Sequence, residues 1–148
     1  MTPQKATVSD LPKIQRCAEE FYAASKFLTG FNLERFCNLW TGLIESGAGV
    51  IFFCAGEDGD WTGMIGGMAY PDIYSGVMTA SEMMWFVREG HRGQGVKLYR
   101  AFESWAREHG CKLIRMVHLL DVMPEKVARF YKSVGFAPIE MHYQKDLT

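Results

Sequence analysis

The stretch Trp85 to Leu98, WFVREGHRGQGVKL, decides the reading of this chain. It completes an apolar and aromatic run, Thr79–Arg88 (TASEMMWFVR), whose composition predicts a strand. Gly90 interrupts it. A short Arg- and Gly-rich turn follows, and from Gly95 the apolar residues Leu98, Phe102, Trp105 and Ala106 recur at helical spacing until Gly110. A strand that passes through a glycine-rich turn into a helix N-terminus builds an anion cradle. The first N–H groups of a helix have no partner one turn back, and the helix dipole adds ~0.3–2 kcal/mol for a negative group there. Gly93 and Gly95 let backbone approach a ligand without a Cβ in the way. Arg92 and Lys97 place positive charge on either side, so phosphate or pyrophosphate suits the turn. The plain alternative is a glycine-rich turn with solvated Arg and Lys. Neither GxxxxGK[ST] nor GxGxxG occurs, which argues against an NTPase loop and a dinucleotide fingerprint.

Outward from this turn the period changes in an orderly way. Lys5–Val8 alternates as a short first strand, and Ser9 or Asp10 is placed to cap a helix carrying Leu11, Ile14, Ala18, Phe21 and Tyr22. Asn32 is placed to cap a second helix striped by Leu33, Phe36, Cys37, Trp40, Leu43 and Ile44, with Gly47 at its end. Gly49–Ala55 and Trp61–Tyr70 read as two strands joined by the turn GEDGD, and Gly63, Gly66 and Gly67 mark close backbone approach or a bulge. Lys112–Leu119 reads as a strand. Pro124 opens a helix carrying Val127, Phe130, Tyr131 and Val134, and Phe136–Leu147 alternates as a last strand. The strand–helix–strand unit from 79 to 119 fits a parallel crossover beside an antiparallel hairpin. A mixed sheet with helices on both faces follows, in one domain spanning residues 1–148.

Composition limits the possible functions. The chain has 148 residues, 48% of them apolar and 22% charged, as expected of a globular domain. Sixteen Lys and Arg against 17 Asp and Glu leave a net charge of −1, which does not support nucleic-acid binding through bulk positive charge. The longest apolar run, Val50–Ala55, is far too short to cross a bilayer. The start MTPQKATVSD has no signal-peptide h-region, and Cys17, Cys37, Cys54 and Cys111 form no CxxC pair. The expectation is a cytoplasmic protein with free thiols, no membrane partner and no metal site.

Several motifs in order resemble the GNAT superfamily of acyl-CoA-dependent N-acetyltransferases. The family's [QR]xxGx[GA] loop corresponds to Arg92, Gly93, Gln94, Gly95, Val96 and Lys97, with Lys97 in the position usually held by Gly or Ala. The family's helix ending in aromatic–Tyr–x–x–x–Gly–Phe corresponds to Phe130, Tyr131, Gly135 and Phe136, and KATVSDLPKI is similar to its usual start. Pro124 stands where members often carry Asn. The resemblance implies a GNAT-like α/β (α+β) fold with a mostly antiparallel twisted sheet. It also implies acetyl-CoA as cosubstrate and direct transfer to an amine-bearing small molecule or protein. Many relatives dimerise, and a homodimer is left open.

The resemblance also implies site residues. The diphosphate of acetyl-CoA would sit on amides from Gly93 to Leu98, and its pantetheine arm on the backbone of Phe86 and Val87, between diverging strands at 79–88 and 112–119. Tyr131 matches the family's general acid; packing beside Phe130 is the alternative. Glu82 is the acidic residue inside the strand, and simple alternation puts it on the face of Met84 and Phe86, where apolar neighbours would raise its pKa and suit it to take a proton. A non-catalytic rim carboxylate is the alternative. His118 and Asp121 are placed to assist the base. Arg129 and Lys132 are placed to meet the 3′-phosphate or to lie in solvent. Tyr22, Phe27, Phe31, Tyr70 and Tyr74 suggest an aromatic acceptor pocket. A catalytically silent CoA-binding or protein-binding module on the same fold is the competing function, and a nucleotide in the same cradle is a third.

Overall fold

The computed structural model describes residues 1–25, 29–120 and 122–148. In chain order it contains β1 (Gln4–Lys5), a 3-10 segment (Val8–Ile14), α1 (Gln15–Ala24), α2 (Leu33–Glu45), β2 (Gly49–Ala55), β3 (Trp61–Pro71), β4 (Met78–Val87), a 3-10 turn (Arg92–Gln94), α3 (Gly95–Glu108), β5 (Leu113–Arg115) and α4 (Pro124–Ser133). The five strands form one sheet in the order β1-β2-β3-β4-β5. All pairs are antiparallel except β4–β5, which is parallel as a strand–helix–strand crossover requires. No helix among the described residues is long and apolar enough to cross a membrane.

Helices cover both faces. On one, α1 and α2 bury Leu11, Ile14, Cys17, Phe21 and Trp40 against Ile51, Phe53, Met64, Met84 and Phe86. On the other, α3 buries Leu98, Phe102, Trp105 and Ala106 against Val50, Cys54, Ile65, Ala80 and Val87. The two faces of β2, β3 and β4 are therefore both apolar, and these strands read as runs rather than as clean alternations.

The caps explain where the helices begin. Asn32 caps α2 as its sequence position suggests, with Oδ1 accepting from Arg35 N at 2.9 Å. At the first helix the roles shift. The N-cap is Thr7 rather than Ser9 or Asp10, and Asp10 reaches back from the third position to accept from Thr7 N at 2.9 Å. Val8 therefore starts the 3-10 segment, and β1 is confined to Gln4–Lys5. Pro12 lies inside that segment, and the α-helical pattern is established only from Gln15, once Pro12's missing N–H is passed.

The last expected strand does not form. Phe136–Thr148 has no ladder partner, and Ile139, Met141 and Tyr143 are 71%, 68% and 89% exposed. Alternation specifies a strand only where an edge accepts it, and β5 offers three residues instead of the eight expected from 112 to 119. The chain instead turns at Gly135 (φ 94°), and Phe136 N donates to Tyr131 O at 2.9 Å, folding the Phe136 ring against Tyr131.

Candidate functional site

The three glycines of β3 position the site. A Cβ on Gly63 would lie 3.1 Å from Gln94 Oε1 and 3.2 Å from Leu98, so its absence lets the turn and the start of α3 close on the strand. Gln94 Oε1 accepts from Thr62 Oγ1 at 3.0 Å and anchors the turn there. A Cβ on Gly67 would lie 2.3 Å from Ser81 O, which no real side chain tolerates. At this point the register slips: Gly67 pairs with Glu82 and Gly66 with Met84, leaving Met83 as a bulge.

The bulge overturns the simple alternation. Gly67 faces Phe102 of α3, whereas Gly66 faces Trp40 of α2. Their partners follow, so Glu82 lies on the α3 face while Met84 and Phe86 pack on the α1–α2 face. The extra residue at Met83 reverses the parity between them.

The same place is where the sheet opens. β4 and β5 pair only through Thr79–Leu113, Ala80–Ile114 and Ser81–Arg115. Beyond that β4 runs on to Val87 paired with β3, while the chain after Arg115 leaves the ladder. Phe86 and Val87, 5% and 6% exposed, thus belong to a strand whose second edge has no strand beside it among the described residues.

At the fork Glu82 is 6% exposed, and Oε2 accepts from Val117 N at 2.8 Å. Burial pushes its carboxyl up to about 7, with the Val117 bond opposing the shift. Tyr131, 9% exposed, donates from Oη to Val117 O at 2.5 Å. Burial, then the nearby Glu82 carboxylate, drives the phenol well above its ordinary value, so it keeps its proton. Trp85, Phe130 and Phe136 surround its ring at 6.1, 6.2 and 5.3 Å between centroids. His118 meets the same ring edge-on at 6.4 Å, and its Nε2 is buried with no partner. Asp121 lies outside the described residues.

The turn keeps its open side. A Cβ on Gly93 would meet nothing within 4 Å. Gln94 N donates to His91 O and Gly95 N to Arg92 O, so the 3-10 turn uses two of the amides expected to face a ligand; those of the first turn of α3 follow them. Gln94 carries no capping bond to that turn, so its own side chain does not compete for the amides. Arg92 lies over the Phe86 ring at 5.6 Å. Lys97 Nζ donates to Met1 O at 3.4 Å, and Val96 is exposed beside it, whereas Leu98 is fully buried. The residues present fit an anionic group: open glycine, helix amides, two cations and no carboxylate from His91 to Leu98.

Other expected groupings separate. Tyr22 and Phe31 lie 5.7 Å apart, and Phe31 continues to Phe36 at 5.6 Å. Tyr70, paired with Thr79 at the far end of β4, bonds Ser81, and Tyr74 is 92% exposed on the hairpin loop. Tyr22 packs on Phe21, which meets Phe86, and Phe86 lies seven positions from Thr79 along β4, roughly 23 Å at strand rise, so these aromatics do not line one pocket. Phe27 lies outside the described residues. Arg129 and Lys132 occupy the exposed face of α4. Sequence reasoning missed Val117, which both candidate side chains hold, and the Arg88–Glu20 pair that ties the end of β4 to α1 at 2.8 and 2.9 Å. The Gly66–Gly67 doublet was the one signal for the bulge.

The profile of the family described as "Acetyltransferase (GNAT) family" matches residues 14–136. The chain belongs to the GNAT acetyltransferase family. Solved structures agree on the fold. A Trypanosoma brucei acetyltransferase superposes with a TM-score of 0.73 at 19% identity, covering 98% of both chains. Glucosamine-6-phosphate N-acetyltransferase from Arabidopsis thaliana gives 0.75 at 16%, covering 99% of this chain and 98% of its own. An aminoglycoside acetyltransferase from an uncultured soil sample gives 0.72 at 18%, covering 99% and 96%. No curated protein sequence matches the chain significantly. The GNAT fold thus carries different named acceptors in these neighbours, and fold does not choose among them.

Proposed function

We propose that this GNAT chain is an N-acetyltransferase that moves an acetyl group from acetyl-CoA to a primary amine within a ternary complex. The observation that carries the reading is the fork: β4 continues for six residues past its last pair with β5, and a glycine-rich turn opens α3 at its end. Arg92, Gly93, Gln94, Gly95, Val96, Lys97 and Leu98 hold the diphosphate in this reading. The open edge of β4 at Phe86 and Val87 receives the pantetheine arm. Acetyl-CoA supplies an acyl carbon bonded to a good sulfur leaving group.

The chain's own residues manage two protons. Glu82 accepts one from the ammonium, directly or through water, which frees the nitrogen lone pair to form the C–N bond. The C–S bond breaks, Tyr131 gives its proton to the departing thiolate, and the second proton of the acylated nitrogen passes to the tyrosinate, directly or through water, which restores the acid. A direct route fits the cysteines, since burial raises the pKa of all four thiols and that of Cys17 to about 12, leaving none poised as a nucleophile.

Calorimetric titration with acetyl-CoA tests the reading. Saturable binding in the range of about 1 μM to 1 mM is expected; no heat at millimolar ligand removes it. A thiol-release assay over small amines, peptides and aminoglycosides then identifies the acceptor class. Binding without turnover on any of them would point to a CoA-binding module.

A further inference from the structure

We propose that Glu82 is a positioning residue as well: its carboxylate replaces the missing strand neighbour at the fork, holds the Val117 backbone in place, and through Val117 fixes the Tyr131 hydroxyl. An amide that leaves a ladder must find another acceptor, and the bond that Val117 N makes is part-buried. Val117 is two residues beyond the last paired residue of β5, and its N–H finds a side chain instead of a β4 carbonyl. The bulge at Met83 makes this geometry possible, because it turns Glu82 to the α3 face, where α4 brings Tyr131. The same residue's carbonyl then accepts from Tyr131 at 2.5 Å. Glu82 and Tyr131 thus grip opposite groups of one residue, and displacing Val117 displaces the phenol.

Proton acceptance and positioning rank substitutions in opposite orders. Glu82→Asp keeps a carboxylate but withdraws it by about 1.5 Å, one C–C bond, out of reach of Val117 N. Glu82→Gln keeps an oxygen at the original length and cannot act as a base. Three readouts, all made on the full-length protein, follow the geometry rather than the chemistry: amide hydrogen exchange at Val117, the 13Cζ shift of labelled Tyr131, and acetyl-CoA affinity. We expect Glu82→Gln to stay within about threefold of the wild type in exchange and affinity and, in spectra taken well below pH 7 where the wild-type carboxyl is also uncharged, to leave the Tyr131 signal unmoved. Glu82→Asp should exchange at least about tenfold faster at Val117 and shift Tyr131. It should also weaken acetyl-CoA binding about fivefold or more. Amide exchange across β2 and β3, measured in the same experiment, checks that each variant keeps its fold. Equal exchange in all three proteins, or faster exchange in Gln than in Asp, overturns the proposal. The affinity arm rests on the function proposed above; if the wild type binds no acetyl-CoA, that function fails while exchange and the Tyr131 signal still decide the positioning role.

Discussion

The first four residues of β4, MTAS, and the last six, EMMWFV, belong to one strand and have opposite circumstances. Met78 to Ser81 lie beside β3, and Thr79, Ala80 and Ser81 also pair with β5. Glu82 to Val87 are held by β3 alone, and what stands on their other side is a side chain, Glu82, reaching for Val117. Burial does not distinguish them, since every residue of β4 but Met83 is buried or half-buried. The difference comes from one extra residue, Met83, opposite Gly66 and Gly67, where the missing Cβ of Gly67 lets Ser81 O and the Phe102 ring close in. A sheet opens where its ladder is broken and its freed polar groups are satisfied by other means.

The proposed chemistry lives at the boundary between these halves, and its removal gives the largest expected effect. Tyr131→Phe leaves the ring packing intact and deletes the proton donor. Turnover should fall by roughly 10²–10⁴-fold, with acetyl-CoA affinity nearly unchanged. Steady-state thiol release together with calorimetry checks it, and unchanged turnover would retire Tyr131 as the acid.

Next in size is the bulge itself. Gly67→Ala would place a methyl group 2.3 Å from Ser81 O and 2.7 Å from the Phe102 ring, both in the interior. The strand must shift or the bulge must relocate, so stability should fall by about 2–4 kcal/mol in urea unfolding. Gly93→Ala serves as the control, since nothing lies within 4 Å of its added Cβ and its backbone is not left-handed. Equal losses at the two positions would mean that the bulge is not what the missing Cβ protects.

Glu82 separates the halves by charge. Its folded-state pKa, about 7, lies above the usual carboxylate value of 4.5. Between those values the folded protein binds a proton that the unfolded chain has lost, so stability falls as pH rises from about 4.5 through 7. Glu82→Gln cannot ionise. Its unfolding free energy should lose about 2–3 kcal/mol less than that of the wild type between pH 4.5 and 8. Parallel pH profiles would show that the carboxylate is not the source of the slope.

Much of this molecule was legible in its residues, and what was not has a physical cause. The helical stripes, the Asn32 cap and the GEDGD hairpin are local signals and appear where expected. The turn at 92–97 was readable because strand, glycines and helix stand in one short segment. The orientation of Glu82 was not, because a bulge depends on the partner strand, and one residue reverses every later side chain. The tail from Phe136 alternates convincingly, yet a strand needs an edge, and β5 supplies three residues of it. The aromatics share only a residue type, for Tyr22 packs through Phe21 toward the Phe86 end of β4 and Tyr70 pairs at the Thr79 end. Val117 carries no chemical signature at all; its part comes from where its backbone is left when the ladder ends.

The smallest effect probes how the open half is held at its far end. Arg88 follows β4 directly, and its guanidinium grips Glu20 of α1 through two bonds, at 2.8 and 2.9 Å. That pair replaces strand pairing with a tie between strand end and helix. The Arg88 side chain is 13% exposed but Glu20 is 39% exposed, so solvent screens the attraction. Glu20→Gln should lower stability by only about 0.5–1 kcal/mol, and the difference should shrink in high salt. The informative readout is local: amide exchange should quicken from Phe86 to Arg88 and stay unchanged from Thr79 to Ser81, where β5 still holds the strand. Equal acceleration in both halves would mean that β4 responds as one rigid unit, and that the opening at Glu82 does not divide it mechanically.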